Sequence, residues 1–175
     1  MKILIAYASK TGTVRECVER LTTALKGLDV TVADLDKETP SPADFDLIVA
    51  GASVRFGRLL PSARRFLQAS KDVLLTKPLC LFLCCGIAHE YEYYREVVFP
   101  RELRDAAEHS VYFGGRLSTD GLGFFEKLLV RHLRTSIAES EIEDGEYTPS
   151  LPGILPENVD RLASLIRTKL ASLSE

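Results

Sequence analysis

Short apolar runs alternate with longer amphipathic stretches along most of the chain. Residues 2–8 (KILIAYA) are apolar at nearly every position, the pattern of a strand covered on both faces in a parallel sheet. At 13–26 the period lengthens. Val14, Cys17, Val18, Leu21, Ala24 and Leu25 recur at three- and four-residue spacing, which predicts an amphipathic helix ended by Gly27. Residues 28–35 alternate at Val30, Val32 and Leu35 as a second strand. Beyond Pro40 and Pro42, residues 45–51 (FDLIVAG) form a third strand, and Pro61 opens a helix reaching 70. Residues 79–84 (LCLFLC) read as a fourth buried strand, and 93–108 contain a helix among charged positions. Residues 110–115 (SVYFGG) are a fifth strand. The last helix, 156–173, shows Val159, Leu162, Ala163, Leu165, Ile166 and Leu170 as its apolar face.

Strands separated by helices predict an α/β fold, a parallel sheet with helices on both faces. No repeat or linker divides the chain, so 1–175 reads as one domain. Residues 118–155 are too many for an ordinary connection and read as an insertion after or within the fifth strand.

A net charge of −3 disfavours nucleic acid as the main partner, because a polyanion calls for a basic surface. No apolar run approaches the length of a membrane-spanning helix, and the first strand begins at residue 2 with no room for a signal peptide. The expected location is the cytoplasm. Cys17, Cys80, Cys84 and Cys85 form no C-x-x-C pair and no zinc spacing with a histidine. Cys80 and Cys84 sit in an apolar run and read as buried free thiols. No metal site is expected.

Chemistry belongs at the carboxyl edge of such a sheet, and three loops leave strands there. Ser9, Lys10, Thr11, Gly12 and Thr13 follow the first strand and open a helix. Hydroxyls and backbone N–H groups at a helix N-terminus make a phosphate cradle. A plain turn with one capping hydroxyl would need only a single Ser or Thr. Neither a triphosphate loop nor a dinucleotide fingerprint is present. The second loop follows Gly51 as Ala52, Ser53, Val54, Arg55, Phe56 and Gly57. Small residues allow close approach to a flat ligand, and Phe56 offers a ring. Arg55 could set a cation beside a reduced flavin or an acidic substrate, or simply be solvated. The third loop begins at Cys85, Gly86, Ile87, Ala88 and His89 and runs into Tyr91, Tyr93 and Tyr94.

Residues 9–14 resemble the flavodoxin phosphate loop, [ST]-x-T-G-x-T, with Val14 where the last Thr is expected. That substitution removes one side-chain donor. Residues 49–57 (VAGASVRFG) resemble the G-A-S-[IV]-R-[YF]-G stretch of bacterial FMN-dependent, menaquinone-linked protoporphyrinogen IX dehydrogenases, and Glu146, Tyr147 and Thr148 add to the likeness. The resemblance implies a flavodoxin-like doubly wound sheet of five parallel strands, order 2-1-3-4-5. It implies FMN as cofactor, with its phosphate on residues 9–14 and its ring between 52–57 and 85–88. It also implies oxidation of protoporphyrinogen IX with a quinone as acceptor. The alternative within this fold is an electron carrier between redox partner proteins, with no substrate of its own.

Residues 121–136 place Lys127, Arg131 and Arg134 in one stripe opposite Phe125, Leu128, Leu129 and Leu133. Such a helix suits peripheral contact with the inner face of an anionic membrane. It also suits a helix packed on the domain with its basic side in water.

Overall fold

The computed structural model describes residues 1–86, 91–116 and 153–172. The main sheet contains β1 (Lys2–Ala8), β2 (Asp29–Asp34), β3 (Leu47–Arg55), β5 (Leu79–Cys84) and β6 (His109–Tyr112). These five strands are parallel, in the order β2-β1-β3-β5-β6. This is the expected 2-1-3-4-5 order of a flavodoxin-like α/β fold. A short strand, β4 (Arg58–Leu59), is added as an antiparallel hairpin partner of β3.

The two-residue period of the strands sorts their side chains into two cores. Ile3, Ile5 and Tyr7 of β1, Leu47 and Val49 of β3, and Cys80, Phe82 and Cys84 of β5 share one face. That face is covered by α1 (Thr13–Ala24) and α6 (Pro156–Ser172). Leu4, Ala6 and Ala8, then Ile48, Ala50 and Ala52, then Leu79, Leu81 and Leu83, point to the other face. There they meet α2 (Pro61–Ala69), α3 (Lys71–Leu74) and α5 (Arg101–Ala106). A strand covered on both faces has no polar side to show, hence the unbroken apolar runs of β1 and β5. β2, at the edge, is covered less, and Val32 is exposed rather than part of a core.

Local chemistry sets the element ends. α1 buries Thr13, Val14, Cys17, Val18 and Leu21, and the chain turns away through Gly27 in the left-handed region. α2 begins on Pro61, whose missing N–H would have had no intrahelical partner. The charged stretch expected to hold one helix holds two, α4 (Tyr91–Val98) and α5, because Pro100 cannot continue the first. Arg104 bridges the break by donating to the Glu96 carbonyl and pairing with its carboxylate.

The fifth strand departs most from expectation. It stops at Tyr112, and β7 (Gly114–Gly115) pairs antiparallel with β8 (Gly153–Ile154) in a separate ribbon. Gly114 has φ 78°, and a Cβ there would lie 2.1 Å from the Gly153 carbonyl oxygen. The chain leaves the main sheet where only glycine can turn and pack so closely. The expected insertion starts beyond this ribbon's first strand. Its candidate amphipathic helix at 121–136 lies outside the described residues. Among the described residues no helix is long and apolar enough to cross a membrane.

Candidate functional site

The carboxyl ends of β1, β3 and β5 lie side by side: Ala8 pairs with Ala52, and Ala52 with Leu83. From β1 the chain passes to α1 on one face, and from β3 to α2 on the other. Neighbouring strands that send their connections to opposite faces open a crevice between them. The first two loops singled out in the sequence, and Cys85 and Gly86 of the third, border this edge.

The turn after β1 leaves several polar groups without partners. Gly12, at φ 86°, caps α1 with no side-chain hydrogen bond to the helix end. Its carbonyl accepts the first intrahelical bond, from the Glu16 N–H at 3.0 Å. The N–H groups of the first turn therefore lack an intrahelical partner, and the helix dipole makes that end positive. The Thr11 and Thr13 hydroxyls lie 3.5 Å apart. The Ser9 Oγ is buried and has no hydrogen-bond partner. Leaving a buried hydroxyl unpaired costs about 1–3 kcal/mol, so its placement beside an uncapped helix end points to an absent acceptor. Lys10 is exposed at the mouth. Val14 faces the core and is fully buried, so its backbone N–H is what it can offer a ligand.

The second segment is more regular than a loop. Ala52, Ser53, Val54 and Arg55 continue β3, and Ala52 is wholly buried in the core. Phe56 (φ 48°) and Gly57 (φ 72°) make a two-residue turn into β4, with Arg55 opposite Arg58. Two successive positive φ values are what a type I′ hairpin turn requires, and phenylalanine at the first of them is strained. Its ring is 56% exposed, and the Arg55 guanidinium lies over it, 5.5 Å from the centroid. Strain and exposure together present a flat apolar surface and a cation at the rim.

The third segment begins at Cys85, which is buried, and Gly86. Ile87, Ala88 and His89 lie outside the described residues. The Cys85 N–H donates to the Gly114 carbonyl at 3.1 Å, and its carbonyl accepts from the Tyr112 hydroxyl at 2.7 Å. Tyr112 stacks on Tyr91 at 5.0 Å. Burial pushes the Tyr91 phenol up to about 12 and raises Tyr112 further, chiefly for the same reason. Both therefore keep their protons at physiological pH.

The β5 thiols are enclosed. All four cysteines are free and buried. The Cys84 thiol is raised well above its usual range by its contact with Cys17, Sγ to Sγ 4.0 Å, and by burial. Burial likewise pushes Cys80 up to about 12. Protonated and enclosed, Cys80 and Cys84 are inert thiols.

Sequence reading missed the reach of the far strand. Tyr112, Gly115 and Arg116 come from the predicted fifth strand and its continuation, yet they brace both sides of the site. Arg116 forms a two-pronged pair with Glu16 in the first turn of α1, at 2.7 and 3.2 Å. The available signal was the run Tyr112, Phe113, Gly114, Gly115, Arg116, two glycines between aromatic and basic residues.

A family model described as "Flavodoxin domain" matches residues 4–143. The chain belongs to the flavodoxin-domain family. Comparison with curated proteins finds no match. Among solved structures, the flavodoxin of Fusobacterium nucleatum bound to flavin mononucleotide is 14% identical, with a TM-score of 0.51. That likeness covers 97% of this chain and 99% of that one. Rubredoxin oxygen:oxidoreductase from the anaerobe Desulfovibrio gigas is also 14% identical, with a TM-score of 0.50, over 79% of this chain. The flavodoxin-domain chain spans only 35% of that larger protein. At such identities the likeness concerns the fold.

Proposed function

We propose that this flavodoxin-domain protein binds FMN at the carboxyl edge of its sheet and works as an FMN-dependent oxidoreductase. Ser9, Thr11, Thr13 and the N–H groups of Gly12, Thr13 and Val14 would hold the phosphate, with Lys10 beside it. Phe56 and the peptide between Cys85 and Gly86 would flank the ring. The carrying observation is the buried, unpaired Ser9 Oγ beside an uncapped helix N-terminus. A phosphate dianion supplies the acceptors this arrangement lacks. Bound FMN would supply electron and hydride transfer. The chain's own residues anchor, orient and partly enclose it.

For the substrate, the likeness of residues 49–57 to menaquinone-linked protoporphyrinogen IX dehydrogenases supports oxidation of protoporphyrinogen IX with a quinone acceptor. A second reading, an electron carrier between redox proteins, is favoured by the end-to-end likeness to the F. nucleatum flavodoxin. The test has two stages. The protein is reconstituted with excess FMN or FAD, and the retained flavin is released by heat and identified by chromatography. Retention of FMN is expected; FAD alone, or no flavin, overturns the proposal. Anaerobic turnover of protoporphyrinogen IX with a menaquinone analogue then selects the enzyme reading, and its absence leaves the carrier.

A further inference from the structure

We propose that Tyr112 is a positioning residue for the flavin ring: by holding the Cys85 carbonyl it aims the Gly86 N–H at the ring. The proposal rests on the FMN reading above and concerns how the same site is tuned.

The geometry follows from the sheet order. β5 stands between β3 and β6. Tyr112, at the end of β6, pulls the Cys85 carbonyl oxygen toward the β6 side with a 2.7 Å hydrogen bond. The Cys85 N–H is held on the same side by Gly114. In a planar trans peptide the carbonyl and the following N–H point in opposite directions, and the described chain has no cis peptide. The Gly86 N–H therefore points away from β6, toward the β3 side where the crevice lies. It has no hydrogen-bond partner among the described residues. The peptide is also braced from behind. A Cβ on Gly115 would stand 2.3 Å from the Cys85 carbonyl oxygen, so the two backbones are in direct contact. Tyr112 is in turn held flat against Tyr91, and its backbone carbonyl accepts from the Asn158 side chain at 2.8 Å. Because the phenol keeps its proton, its hydroxyl stays a donor throughout the physiological range. A carbonyl needing only a partner could take water at this edge. Holding it with a stacked, half-buried tyrosine fixes the plane of the peptide and hence the direction of the donor behind it. Such a fixed donor suits an acceptor atom of the isoalloxazine ring, where it withdraws electron density.

The test compares Tyr112→Phe with wild type after FMN reconstitution. Phenylalanine keeps the stack on Tyr91, so the thermal midpoint of the apoprotein should be little changed. The FMN dissociation constant should rise about fivefold, as for one neutral hydrogen bond. A flavin carbonyl stretch or the visible band should shift, and the midpoint potential should fall. Gly115→Ala, whose Cβ would press on the same peptide, should move the same bands. Thr11→Ala should weaken binding without moving them. An unchanged spectrum, potential and affinity in folded Tyr112→Phe overturns the proposal while the FMN reading stands. A wild type that retains no FMN overturns both.

Discussion

The turn after β1 and the segments after β3 and β5 border one crevice but are stabilised in opposite ways. Residues 9–13 leave capacity unused: a buried hydroxyl without a partner, a helix end without a cap, and a left-handed glycine with open space beside it. On the ring side the chain satisfies itself. Cys85 is bonded at both its N–H and its carbonyl, β4 closes a hairpin on β3, and the glycines of β7 pack on backbone. The first region holds unpaired polar groups at some cost to the fold, as the proposed phosphate site would require. The second is a frame held together by its own backbone and side-chain hydrogen bonds. Substitutions at the close-packed glycines of the ring side should therefore register mainly in the stability of the apoprotein, whereas those in the phosphate turn, or at Tyr112 where phenylalanine keeps the stack, should register mainly in binding.

The largest expected effect is Gly114→Ala. A side chain at φ 78° that also meets the Gly153 carbonyl should destabilise the apoprotein by about 3 kcal/mol or more. Urea unfolding measures it, and a loss below about 1 kcal/mol would show that the ribbon is not part of the frame.

Next comes Ser9→Ala, with two opposite signs. Removing an unpaired buried hydroxyl should leave the apoprotein as stable as wild type or slightly more so. Losing a donor to a charged phosphate should weaken FMN binding by roughly 1.5–3 kcal/mol. Denaturant melts and a flavin titration separate the two. A destabilised apoprotein with unchanged FMN affinity would mean that the hydroxyl serves the fold.

A smaller change is expected from Phe56→Asn, which replaces a strained residue by one that tolerates the left-handed region. Apoprotein stability should rise by about 1 kcal/mol, while the ring loses an aromatic neighbour and FMN affinity falls. Equal affinity in the two proteins would remove Phe56 from the site.

A further effect appears only at alkaline pH. The folded protein holds the Tyr91 proton to about 12, because burial disfavours the phenolate, whereas an unfolded chain releases it near 10. Stability should thus be independent of this group below pH 10 and decline as pH rises from there through about 12. Tyr91→Phe should make the decline shallower in chemical denaturation between pH 9 and 11, the remainder coming from Tyr112.

Much of the architecture was legible in one dimension because burial is periodic. A strand enclosed on both faces must be apolar throughout, so β1 and β5 stood out at once, and β5 has the expected bounds. α1 and α6 declared themselves by the spacing of Val14, Cys17, Val18 and Leu21 and of Val159, Leu162, Ala163 and Ile166. The hydroxyls around Gly12 were legible too, since a strand followed by a helix needs no such density of donors. Where a contact partner is distant along the chain, pattern failed. Residues 52–55 read as a loop because their alternation is weak, yet pairing with β5 and the hairpin to β4 keeps them extended. Likewise the fifth strand read as continuous through Gly115, although Gly114 turns toward β8.

From its sequence alone this protein acquired a parallel sheet between helices, and a donor-rich turn at the sheet's ligand edge. Both follow from short-range rules: the period of hydrophobic burial, and the geometry of a chain entering a helix. Tertiary structure alone decided that Ser9 Oγ is buried without a partner, that Phe56 is held out at the rim, and that Tyr112 grips the Cys85 carbonyl. Each depends on groups brought together across the sheet. Tyr112 and Cys85 are 27 residues apart in the chain. No local propensity encodes such a distance; it is set when β5 and β6 pair and the two cores close.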